Sequence, residues 1–170
     1  ILSLAPNENK FSPVGSLRIM NIMANRIVLD IETQNLFSDV GGKENLTKLL
    51  LSVAGVYSYT DKKFLTFTEK ELPAFEDLLR KTDLIIGFNI DHFDLPVLQK
   101  YLSVDLSKIP TLDIMNEVVD TMGHRVSLDD LCVNTLGKKK NANGLIAVDY
   151  WRQGRMDELK KYCLDDVRLT

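Results

Sequence analysis

Arg26-Ile27-Val28-Leu29-Asp30-Ile31-Glu32-Thr33 is the stretch from which the rest of the chain is read. It is an apolar run ending in two acids, and Arg26 to Ile31 reads as a strand. Side chains alternate across a strand, so residues two apart share a face. Asp30 and Glu32 therefore project together, and Leu29 and Ile31 face the other way. Adjacent carboxylates repel, and the end of a buried strand solvates them poorly. A divalent cation removes that conflict, because hard cations prefer oxygen ligands. Two exposed acids at a strand end would look the same, so this stretch alone leaves both readings open.

Two downstream stretches narrow the choice. Gly87-Phe88-Asn89-Ile90-Asp91-His92-Phe93-Asp94-Leu95-Pro96 sets Asp94 after a second apolar strand, at the start of a helix. Tyr162-Cys163-Leu164-Asp165-Asp166 sets a tyrosine and an acid four apart on a predicted helix, hence on one face. Asp-x-Glu, Asn-x-x-x-Phe-Asp and Tyr-x-x-x-Asp, in that order, resemble the three exonuclease motifs of the DEDD superfamily, tyrosine subtype. The nearest resemblance is to the proofreading 3′–5′ exonuclease domains of family-B DNA polymerases and related ribonuclease H-like exonucleases. It covers roughly residues 26 to 170.

The resemblance implies an α/β, ribonuclease H-like fold: a mixed five-stranded sheet in the order 3-2-1-4-5, flanked by helices. The element pattern alone supports only α/β with a mixed sheet. It also implies a metal-dependent 3′–5′ exonuclease acting on single-stranded DNA or RNA ends with two divalent cations, Mg²⁺ or Mn²⁺. Two such ions about 4 Å apart activate a water and neutralise charge on the leaving oxygen. Carried over by motif, Asp30 bridges both ions, Glu32 and Asp166 hold the nucleophile-side ion, and Asp94 acts through water on the other. Tyr162 orients the attacking water. A phenol with a pKa of about 10 is a poor base at neutral pH, so the metal does most of the activation.

Several residues keep two readings. Asp94 is also well placed as the N-cap of a helix through Leu102, with Pro96 in its first turn. Asp165 and Asp166 both lie near the Tyr162 face, and only the family spacing selects Asp166. Asp113, an acid at a strand end that no family motif claims, reads as structural or supporting. Thr33 and Asn89 are candidate substrate contacts, and Phe93 is either core or a platform for a base. Lys138-Lys139-Lys140 is either a solvated turn or a phosphate contact. The histidine subtype would need His where Lys161 stands; His92 reads as a surface or phosphate-contacting residue and not as a base, and His124, with no partner acids at metal spacing, reads as surface.

Composition sets the remaining bounds. At 170 residues, 45% hydrophobic and 26% charged, the chain fits one globular domain. No apolar run approaches the roughly 20 residues that span a bilayer, and no secretory leader is legible. Cys132 and Cys163 match no metal-binding spacing and read as buried thiols, which points to a reduced, cytoplasmic setting. The net charge is −3, but from Lys138 onward eight Lys or Arg face five acids. Two divalent cations would bring the total to +1, so an acidic metallonuclease is electrostatically consistent.

Residues 1–25 show no sustained period and read as a tail or an added edge element, with Met20 or Met23 a possible start. Strands are expected at Arg26–Ile31, Leu49–Tyr59, Lys63–Phe67, Asp83–Phe88 and Ile109–Asp113. Asn35 to Glu44 reads as a loop, either plain surface or, in the exonuclease reading, beside the site. Helices are expected from Thr68, from Asp94, from Ser127 to Leu136, from Leu145 to Trp151 and from Met156 onward. The last shows no stop signal, so the domain is expected to continue beyond Thr170. A polymerase, a helicase or a further domain is an expected partner. The competing functions are a non-catalytic nucleic-acid-binding or scaffolding module of the same fold and a structure-specific ribonuclease H-like endonuclease. An unrelated carboxylate-metal hydrolase is more remote.

Overall fold

The computed structural model describes residues 25–139 and 144–170. The expectations for residues 1–24 and for Lys140 lie outside the described residues. Five strands form one sheet: β1 Arg26–Thr33, β2 Leu51–Ser58, β3 Lys63–Phe67, β4 Leu84–Gly87 and β5 Thr111–Asp113. Their order is β3-β2-β1-β4-β5, as the resemblance implied. β2 pairs antiparallel with both β1 and β3, whereas β1–β4 and β4–β5 are parallel. Strand β1 is central, so both its faces are covered; Ile27, Leu29 and Ile31 are buried.

β1 runs two residues further than expected. β2 keeps supplying partners past Ile31: Glu32 pairs with Val53 and Thr33 with Leu51, with a bulge between them. The acids thus lie within the strand's paired length, not beyond its end.

Six helices follow among the described residues: α1 Leu72–Leu79, α2 Asp94–Gln99, α3 Ile114–Met122, α4 Leu128–Leu136, α5 Leu145–Arg152 and α6 Met156–Leu169. Thr68 and Glu71 form the expected capping box, but it starts a 3₁₀ turn that leads into α1. α2 stops short of Leu102 because its last turn tightens. Tyr101 and Leu102 donate to the carbonyls three residues back. Ser127 caps α4, and Gly137 ends it in the left-handed region.

α3 was not expected. Ile114, Met115, Val118, Val119 and Met122 follow a helical period, Asp113 caps the start and Gly123 closes the end. Reading Asp113 as a strand end concealed that cap. The expected loop at 35–44 holds a 3₁₀ turn, Phe37–Val40, which Gly41 terminates.

The two faces of the sheet bury separate clusters. One packs Ile27, Leu29 and Ile31 against Phe75, Leu79, Val97 and Leu98 of α1 and α2. The other packs Val53 against Ala147, Leu159, Tyr162 and Cys163 of α5 and α6. Asp30 and Glu32 have the opposite parity to Leu29 and Ile31, so they face α6. No described helix is long and apolar enough to cross a membrane.

Candidate active site

β1 supplies Asp30 and Glu32, and α6 supplies Asp166. One carboxylate oxygen from each lies within 4.8 Å of the others. Gly55 explains how the helix comes so close. It sits opposite Asp30 on β2, and a Cβ there would fall 2.6 Å from Cys163 Sγ. Glycine in a strand interior is a signal of close approach, but the sequence reading did not use it here. Cys163 fills the space and lies 3.6 Å from Asp30 Oδ2.

The structure separates the two adjacent aspartates. Asp166 is buried and belongs to the cluster. Asp165 points outward and pairs with Arg168 at 2.5 Å.

Asp94 is buried, but it is not the helix cap that the sequence allowed. Phe93 holds the capping position and Asp94 is the first helical residue. Its Oδ1 accepts the Ile31 N–H at 2.9 Å, tying α2 to the strand that carries Asp30 and Glu32. The shift of the helix start by one residue frees the carboxylate to reach across. Asp94 stands beside the three-carboxylate group, not within it. Burial pushes its carboxyl up to about 7; the Ile31 N–H and its own N–H oppose this, and the charges of Asp113 and Asp166 add to it.

Tyr162 is buried and lines a cavity of about 300 Å³ with Lys138, Lys139, Asp165, Asp166 and Arg168. The basic run thus reaches the site in two of its members; Lys140 lies outside the described residues. A second cavity of about 300 Å³ is lined by Glu32, Thr33, Phe37, Phe93, Leu145 and neighbours. Thr33 donates its hydroxyl proton to the Asn35 carbonyl at 2.9 Å. Phe93 packs on the core and meets Phe37 edge to face, ring centres 5.7 Å apart. It is therefore core and cavity wall together. Phe37 and Leu145 were missed because nothing local in the sequence brings them to the site.

Asn89 holds φ +64. Asp113 explains that conformation: buried, it accepts the N–H groups of Asn89 (2.7 Å), Asp91 (3.1 Å) and Met115 (2.9 Å). The supporting reading of Asp113 is what the structure displays. His92 and His124 are both exposed.

Asp30, Glu32 and Asp166 are all hard oxygen donors, which suits Mg²⁺ or Mn²⁺ better than zinc. Burial, reinforced by the charges of Asp30, Glu32 and Asp166, pushes the Cys163 thiol well above its ordinary range.

The chain belongs to the RNase H superfamily, whose family model matches residues 27–170. Among solved structures, the family B DNA polymerase from the hyperthermophilic archaeon Pyrobaculum calidifontis is similar in fold, with a TM-score of 0.65 and 20% identity. The match covers 86% of this chain and 23% of the polymerase. Trypanosoma brucei RNase D is also similar, with a TM-score of 0.57 and 16% identity, over 91% of this chain and 58% of that one. No curated protein matches the chain.

Proposed function

We propose that the chain is a metal-dependent 3′–5′ exonuclease that hydrolyses phosphodiester bonds at single-stranded DNA or RNA ends. The observation that carries this reading is the convergence of Asp30, Glu32 and Asp166 oxygens within 4.8 Å, with Tyr162 one helical turn before Asp166. Fold similarity to a family B DNA polymerase and to an RNase D is in keeping with it.

In this reading Asp30, Glu32 and Asp166 hold two Mg²⁺ or Mn²⁺ ions, and Asp94 contributes from the α2 side. Bound there, the ions supply Lewis-acid activation of water and neutralise charge on the leaving 3′ oxygen. The Tyr162 hydroxyl orients the attacking water from the helix face that carries Asp166. Thr33 and Phe93 receive the terminal nucleotide in the cavity beside Glu32. Asn89, Lys138 and Lys139 contact the strand, and phosphate contacts supply most of its affinity. A frayed end fits this site better than a paired one. A polymerase, a helicase or a further domain is the kind of partner that delivers such an end.

The test is cleavage of 5′-labelled single-stranded DNA and RNA with Mg²⁺, Mn²⁺ or EDTA, beside an Asp30→Ala control. The expected result is a metal-dependent ladder that shortens from the 3′ end and is absent in the control. Internal fragments would indicate an endonuclease. No cleavage and no metal binding would indicate a non-catalytic module.

A further inference from the structure

Ligands of open α/β sheets bind beyond the carboxyl ends of the parallel strands. Here the ends belong to β1, β4 and β5. Gly87 of β4 pairs with Asp113 of β5, and a Cβ on Gly87 would lie 3.0 Å from the Leu29 carbonyl of β1. Asn89 therefore stands two residues past a point level with Leu29, beside the strand that carries Asp30.

Asn89 is anchored through its backbone by Asp113. Its backbone is left-handed, and a buried carboxylate, Asp113, accepts its N–H. That leaves its side-chain oxygen aimed outward, where it accepts a bond from Arg125 Nη2. Arg125 lies in the connection between α3 and α4 and is exposed. Among the described residues no carboxylate pairs with it. In a chain with 24 acids, an arginine fixed by a neutral amide keeps its charge available. A guanidinium has five donors in a planar fork, and one bond to Asn89 leaves the others for a phosphate.

We infer that Arg125, positioned by Asn89 and Asp113, is a phosphate contact for the single strand on the β4–β5 side of the site. This rests on the proposed nuclease reading and adds to it a residue outside the three motifs. The ligand is the phosphodiester backbone, so deoxyribose and ribose strands are both recognised there.

The test is equilibrium binding of fluorescent dT₁₀ and rU₁₀ in EDTA, where no cleavage occurs, across a range of salt. Wild type, Arg125→Ala and Arg125→Lys are compared at matched thermal stability. For single strands, log K falls with log salt by about 0.7 per phosphate contact. The slope of Arg125→Ala should be shallower by about 0.7, with binding about five-fold weaker near 0.1 M salt. Arg125→Lys should keep the wild-type slope. An unchanged slope and affinity in Arg125→Ala would overturn the phosphate contact while leaving the nuclease reading untouched. Wild type that binds neither strand in EDTA would overturn the phosphate contact, while the nuclease reading is judged separately by cleavage with metal present. A purely structural role would lower stability without moving the slope.

Discussion

Asp165 and Asp166 are adjacent, chemically identical and differently employed. The helix turns each by about 100°, which sends one to a buried carboxylate cluster and the other to Arg168. Asp166→Asn should abolish Mn²⁺ binding measured by calorimetry, and Asp165→Asn should leave it within about two-fold, since an exposed pair is worth little. Tyr162→Phe should lower turnover but keep metal affinity, because it removes a hydroxyl and no ligand. Loss of metal in that variant would contradict the orienting role. Asp94 adds a pH prediction. Its carboxyl is raised to about 7, so the stability tied to its proton is present in full below about pH 4 and is lost as pH rises through about 7. In EDTA, wild type should therefore lose stability relative to Asp94→Asn between those values. Denaturation curves that stay parallel would show that Asp94 does not retain its proton.

At the level of elements, the site depends on how closely α6 lies on β2. Gly55→Ala would place a Cβ 2.6 Å from Cys163 Sγ, and overpacking of this kind costs about 1–3 kcal/mol. Cys163→Ala removes the obstructing atom. In a double-mutant cycle the pair should recover roughly 0.5–3 kcal/mol relative to the sum of the single changes, read from urea unfolding. Additive losses would mean that the helix is spaced by other contacts. The elements themselves were mostly legible: β1 to β5, the Thr68 capping box and the Ser127–Gly137 helix follow local rules. α3 was missed because Asp113 serves both as the end of β5 and as the cap of the next helix. A single-role reading of that residue hides one of the two.

At the scale of the whole molecule, three carboxylates from distant parts of the described chain meet at one place. The described carboxylate cluster sits in an acidic chain, and the charges of Asp166 and Asp113 raise the cost of ionising the neighbouring Asp94. Divalent cations should relieve that cost. Ligand binding to the folded state adds about 2.7 kcal/mol at a hundred times the dissociation constant. Saturating Mn²⁺ should raise the melting temperature and EDTA should lower it, with Asp30→Ala insensitive to both. Equal melting temperatures in Mn²⁺ and EDTA for wild type would argue against a folded-state metal site.

Alternation along Arg26–Thr33 and the four-residue spacing of Tyr162 and Asp166 are properties of strand and helix geometry, so they were readable before any fold was known. The sheet order came from the family resemblance that the motifs carry, since the element pattern alone reached only a mixed sheet. Only the tertiary structure decided which partner each acid takes: Asp166 over Asp165 in the cluster, Asp94 bonding to Ile31 instead of capping its own helix, Asp113 holding the Asn89 turn. It also decided that Gly55 is where the helix meets the sheet, and that Phe37 and Leu145 line the cavity beside Glu32. Those choices depend on contacts between residues far apart in the chain, which local periodicity does not encode.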